Sequence, residues 1–168
     1  MREDLEALIP EEEQRRLRRR AMGILERRAL SRRELIDKLI QKGEEREPVE
    51  DTALWLEEMG LLNDADYAET VVRHYAGRGY GKLRIQQELY RRGIEKDLWE
   101  AAFAEMPEDF GALDRFIQSK LKGQQPDRRE EKRVADALHR RGYDWDDISE
   151  GFRRYRERLE DDYAEPED

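Results

Sequence analysis

The chain contains no cysteine, which excludes both a disulfide framework and any thiolate metal site. Its two histidines, His74 and His139, stand far apart, so no closely spaced imidazole pair is available to hold zinc. No apolar run approaches the length of a membrane span or of a signal-peptide core, and a cytosolic protein without membrane association is expected. Runs of alternating β-branched residues are also missing, which argues against strands. Apolar residues make up only 37% of the 168, too few for one thick core and better suited to small units that lean on their neighbours. There is no Ser-His-Asp pattern in a recognisable context. No catalytic residue, metal or cofactor is therefore assigned.

Basic charge is the scarcer sign, with a net charge of −9, but it is concentrated. Residues 15–33 hold nine arginines and one glutamate, residues 44–69 hold ten acids against Arg46, and residues 160–168 hold six acids and no base. Charge sorted into blocks points to a macromolecular partner more than to a small substrate.

What the chain does have is a phrase written three times at a period of about fifty residues. Leu35, Ile85 and Val134 each stand eight residues before a glycine (Gly43, Gly93, Gly142), and Leu39, Leu89 and Leu138 stand four before it. Lys42 precedes the first of these glycines, Arg91-Arg92 the second and Arg140-Arg141 the third. Each unit reads as three helices. In the first, Leu17, Ala21, Ile24 and Leu25 form a stripe on a helix from Glu11 to Arg28. Ser31-Arg32-Arg33-Glu34 is a capping box with Leu30 and Leu35 at the staple positions, and Pro48 opens a third helix with the stripe Val49, Thr52, Ala53, Leu56 and Met59. The second unit starts at Asn63-Asp64, either of which can cap, and carries Tyr67, Ala68, Val71, Val72 and Tyr75, then Ile85 and Leu89, then Leu98, Trp99, Ala102, Phe103 and Met106, with Pro107 at its close. The third carries Phe110, Leu113, Phe116, Ile117 and Leu121, a cap at Asp127 with Glu130, then Val134 and Leu138, and finally Ile148, Phe152, Tyr155 and Leu159. The expected fold is all-α: three tandem three-helix repeats in an elongated, solenoid-like array. Expected boundaries are an N-terminal extension at 1–10, repeats at 11–62, 63–108 and 109–159, and a disordered acidic tail at 160–168.

Gly77-Arg78-Gly79-Tyr80-Gly81-Lys82-Leu83 looks like a phosphate-cradling loop, but a P-loop needs glycine where Ala76 stands and a hydroxyl where Leu83 stands. A tight turn between helices explains the glycines. Asp64-Ala65-Asp66 opens like a calcium loop, yet Glu69 occupies the position that must be glycine. Both acids fit the first turn of a helix, where they complement its dipole.

Arg28 to Leu35, followed by Lys38-Leu39 and Lys42-Gly43, resembles the first repeat of the RecX family, bacterial regulators of the recombinase RecA. Gly60-Leu61-Leu62-Asn63-Asp64 with Tyr67-Ala68 is similar to that family's most recognisable signature, and Gly81, Ile85, Glu88-Leu89 and Arg92-Gly93-Ile94 are similar to its second repeat. The resemblance runs from about residue 17 to 155. It implies a non-enzymatic protein that lies in the groove of the RecA–DNA filament and modulates, foremost by inhibition, filament assembly, strand exchange and ATP hydrolysis; a monomer is expected.

Cations in the last helical turn are explained by the helix dipole alone, which accounts for Lys42, Arg92 and Arg141. The density of arginines in residues 15–33 is not, since the block lacks the acids that a solvated helix interleaves for pairing at i,i+4. Arginine also suits bidentate contact with carboxylate or phosphate. The expected partner-binding residues are Arg27, Arg28, Arg32, Arg33, Lys38, Lys42, Arg73, Arg78, Lys82, Arg91 and Arg92. The alternative is a direct binder of single-stranded or duplex DNA built from helix-turn-helix-like units. Against it stand the acidic balance and the thin supply of base readers, Gln86 and Gln87, on the second helices.

Overall fold

The structure, a computed structural model, describes residues 2–104, 106 and 111–164, and of residues 2–10 the backbone alone. Its helices are α1 (Arg2–Arg27), α2 (Arg32–Gln41), α3 (Arg46–Glu58), α4 (Asp64–Gly77), α5 (Lys82–Arg91), α6 (Trp99–Ala104), α7 (Gly111–Leu121), α8 (Arg128–Arg140) and α9 (Trp145–Ala164), with a 3₁₀ turn (Lys96–Leu98) leading into α6. No strand occurs among the described residues, and none of their helices is long and apolar enough to cross a membrane. The helices follow one another in three triplets. By contact, however, the chain groups into two compact units, Met1–Thr70 with Leu89–Ala102 and Val71–Glu88 with Phe103–Asp168, so the middle triplet is shared between them.

In the first unit, Leu17 and Ala21 of α1 pack with Leu30, with Leu35, Ile36 and Leu39 of α2, with Val49, Ala53 and Leu56 of α3, and with Leu62. The local chemistry that starts α2 is the expected one: the Ser31 hydroxyl accepts from the Glu34 amide at 3.1 Å, and the Glu34 carboxylate accepts from the Ser31 amide at 3.2 Å. Thr52 is buried on α3 because its hydroxyl donates to the Pro48 carbonyl at 2.8 Å.

The second unit's core joins Leu113, Ile117 and Leu121 of α7, Val134 and Leu138 of α8, and Ile148, Phe152, Tyr155 and Leu159 of α9. Asp127 and Glu130 form the second capping box. At Gly151, α9 approaches α7 so closely that a Cβ would collide with Leu113. The buried Tyr155 hydroxyl donates to the Gln124 carbonyl at 2.8 Å.

Four details differ from the sequence reading. Helix α1 begins at Arg2, ahead of the expected Glu11. Helix α9 continues to Ala164, so 160–164 of the expected disordered tail are helical; extending an existing helix requires no new nucleus. Met59 is 59% exposed rather than on the buried stripe, because α3 has ended and Met59 is its C-cap. In the middle repeat of the sequence pattern, Leu98, Trp99 and Phe103 are only half-buried. Pro107, Phe110 and residues 165–168 lie outside the described residues.

Candidate partner-binding site

Three helix ends of the first unit meet around one basic cavity. Asn63 caps α4 by accepting from the Asp66 amide at 3.1 Å, which leaves the neighbouring Asp64 carboxylate to take the Arg32 amide at 2.8 Å. The start of α4 is thereby tied to the start of α2. The end of α5 is tied to the same place, since the Ser31 hydroxyl donates to the Arg92 carbonyl and the left-handed Gly93 lies where a Cβ would strike the Arg33 side chain. These ties leave a cavity of about 560 Å³ lined by Arg28, Ala29, Glu34, Tyr67, Arg91 and Arg92.

The charged residues lining the cavity are one acid, Glu34, and three arginines, Arg28, Arg91 and Arg92. Glu34 serves the capping box and pairs with Arg28 at 3.5 Å. Burial pushes the Tyr67 hydroxyl above the ordinary tyrosine range, and the Glu34 charge adds to this while Arg92 opposes it. Tyr67 is therefore a neutral hydroxyl at neutral pH. A neutral hydroxyl beside several arginine forks suits a carboxylate or a phosphate oxygen.

Of the residues expected to bind a partner, the structure brings Arg28, Arg91 and Arg92 together in this cavity. Arg33 lies against Gly93 and 3.8 Å from Asp37, and the Arg32 side chain is committed to Glu57 at 2.9 Å. Arg27 is exposed at the end of α1, Lys38 is half-buried on α2, and Lys42 is exposed beside Gly43. Arg73, Arg78 and Lys82 belong to the second unit; the first two are exposed, and the Lys82 ammonium stands 5.2 Å from the Phe103 ring centre. Tyr67 and Glu34 were not among the expected site residues. In the sequence each already has a sufficient local role, one as an apolar stripe position and the other as a capping residue.

The structure also corrects the charge argument. The block is paired both locally and at a distance: Arg15 reaches Glu11 and Arg16 reaches Glu13 along α1, Arg16 and Arg20 each reach Glu44 at 2.8 Å, and Arg32 reaches Glu57. The Arg16 hydrogen bond, helped by Arg20, holds the Glu44 carboxyl below its usual range against the opposing effect of burial. The Arg18 guanidinium stands over Trp55, 4.2 Å from the ring centre. The acidic block thus folds back onto the basic block, and charges sorted in sequence are mixed in space.

Residues 63–102 match the family model described as RecX, second three-helix domain. The chain is 40% identical over 111 residues to a regulatory protein RecX of Pseudomonas putida, covering 66% of this chain and 78% of the relative. It is 35% identical over 136 residues to that of Stenotrophomonas maltophilia, covering 80% and 83%. Among solved structures, the fold is similar to a crystal structure of regulatory protein RecX, with a TM-score of 0.75 at 21% identity over 89% of this chain and 76% of that one. It is also similar to RecX from Lactobacillus salivarius, with a TM-score of 0.74 at 19% identity over 86% and 97%. The likeness to these two structures concerns the fold, whereas identity and coverage against the curated relatives decide the family: the chain belongs to the RecX family of regulatory proteins.

Proposed function

We propose that the protein is a non-enzymatic cytoplasmic regulator that binds as a monomer in the groove of the RecA–DNA filament and inhibits filament assembly, strand exchange and ATP hydrolysis. The observation that carries this reading is the cavity that Arg28, Arg91 and Arg92 line together with Tyr67. A filament groove offers both protein carboxylates and DNA phosphates, the two groups such a cavity accepts. Arg27, Arg32, Arg33, Lys38 and Lys42 extend the contact from the first unit, and Arg73, Arg78 and Lys82 contribute from the second. A protein of net charge −9 gains little from counterion release on bare duplex, which favours the filament over free DNA.

The test is cosedimentation with RecA filaments on single-stranded DNA and with the same DNA alone, at one ionic strength. Wild type is expected to prefer the filament. Substituting Arg28 and Arg91 together by alanine should lower filament affinity at least about tenfold with helicity unchanged, and inhibition of ATP hydrolysis should fall in step, a loss of about 1.4 kcal/mol in binding. Tight binding to naked DNA without preference for the filament overturns the regulator reading and supports a direct DNA-binding protein.

A further inference from the structure

The second helix of each triplet ends in a glycine turn, and two of these turns receive the N-terminus of another helix. At the end of α5, the Arg92 carbonyl accepts from the Ser31 hydroxyl at the start of α2, and Gly93 leaves no room for a Cβ. At the end of α8, the Arg141 carbonyl accepts from the Gly81 amide at 2.8 Å and the Gly142 carbonyl from the Leu83 amide at 3.0 Å, both at the start of α5. There too a Cβ on Gly142 would strike Arg84, and one on Gly81 would strike Gly142. The logic is the same in both: the negative end of one helix dipole meets the positive end of another. The arriving cap is small and able to donate, serine in one case and glycine in the other.

The third such turn, at the end of α2, is open. Gly43 has the same left-handed backbone, at φ +95°, but among the described residues nothing lies within 4 Å of a Cβ placed there. Gln41, Lys42 and Gly43 are all exposed, and no described hydrogen bond reaches the carbonyl of Lys42 or Gly43. The turn carries one cation, Lys42, where the two occupied turns carry two each, and the arginines beside it, Arg16 and Arg20, are paired with Glu44 at 2.8 Å.

We propose that the Gly43 turn seats a helix N-terminus of a partner protein, capped by serine, threonine or glycine, and that under the function proposed above this partner is the recombinase. A second copy of this chain does not supply the helix. The counterpart among the described second helices, the start of α8, is capped by Asp127, whose carboxylate already accepts from the Glu130 amide at 2.8 Å and would bring negative charge to carbonyl oxygens. Glu130 itself stands four residues before Val134, where Ser31 stands before Leu35 and Gly81 before Ile85. The start of α8 thus lacks the small donor that the other two helices present.

The absence of native cysteine allows Lys42→Cys to place a single reactive thiol on the turn. Labelled with a benzophenone maleimide and irradiated on RecA filaments, it should cross-link to the first turn of a recombinase helix capped by serine, threonine or glycine. Attaching a polyethylene-glycol maleimide at the same position should weaken filament binding at least about tenfold, and at Glu160→Cys on the exposed end of α9 it should not. Cross-links to a strand, to the middle of a helix or to a second copy of this chain overturn the inference, as does full binding by the protein modified at residue 42. Wild type that fails to bind filaments overturns the proposed function as well, which separates the two failures.

Discussion

At the scale of single residues, space decides what sequence signatures leave equal. Gly43 and Gly142 close the same repeated phrase and share a left-handed backbone, with φ of +95° and +97°. Only Gly142 is pressed against another segment, by the backbone and Cβ of Arg84, which no rotamer change can move aside. Gly43→Ala should therefore cost only the left-handed penalty, about 1–2 kcal/mol. Gly142→Ala should cost roughly 1–3 kcal/mol more, from overpacking. Urea unfolding of the two variants checks this, and equal losses would mean that the α5–α8 junction yields. The core aliphatic residues, by contrast, were legible from spacing alone: Leu35, Leu39, Ile85, Leu89 and Leu138 are all fully buried. Capping was legible only in part. Asn63 and Asp64 are both competent caps, and the choice of Asn63 follows from a tertiary contact, the Arg32 amide claiming Asp64.

At the scale of elements, helices with both a box and a stripe were legible, while ends that depend on distant partners were not. Helices α2 and α8 have their boxes at Ser31 and Asp127 as expected. The pairing of α7 with α9 gives no local signal, because Asp114 and its partners lie some forty residues apart. Arg154 reaches Asp114 at 2.8 Å and Arg158 reaches its other oxygen, clamping the two helices. Burial alone would raise the Asp114 carboxyl, but the hydrogen bonds from Arg154 and Arg158 outweigh it and hold the group below its usual range. A depressed folded-state value means stability that is present above the unfolded carboxylate range and lost as pH falls through the folded value. Asp114→Asn should destabilise by about 1–3 kcal/mol at neutral pH, the lower end allowing for solvent around Arg158. The gap to wild type should close as pH drops below about 3.9. Thermal melts across that range decide the matter, and a gap independent of pH would show that the clamp acts through shape rather than charge.

For the molecule as a whole, composition set limits that its linear charge pattern then obscured. Family and helical class were legible because repeat spacing and glycine punctuation are properties of neighbouring residues. The candidate cavity was legible in its arginines and not in its geometry, since Arg28 and Arg92 meet only when the end of α5 packs on the start of α2. The basic block of residues 15–33 holds one acid of its own, and its pairing acids flank it, as Glu13 and Glu34 do, or come from farther along the chain, as Glu44 and Glu57 do. Glu44 neutralises Arg16 and Arg20 at once, and its side chain is only 10% exposed. This arrangement withholds two arginines from any polyanion. Glu44→Ala should release Arg20, leave Arg16 held only by its exposed 3.2 Å pair with Glu13, and strengthen binding to bare duplex DNA. Each further phosphate that an arginine neutralises adds about 0.9 to the slope of log affinity against log salt, so the variant's slope should steepen by up to about 1.8. Titrations of duplex DNA at several salt concentrations, beside circular dichroism to confirm retained helicity, measure this directly. A slope equal to that of wild type would mean that the released arginines are held by other groups, and that Glu44 ties α1 to the loop after α2 without setting the protein's preference among polyanions.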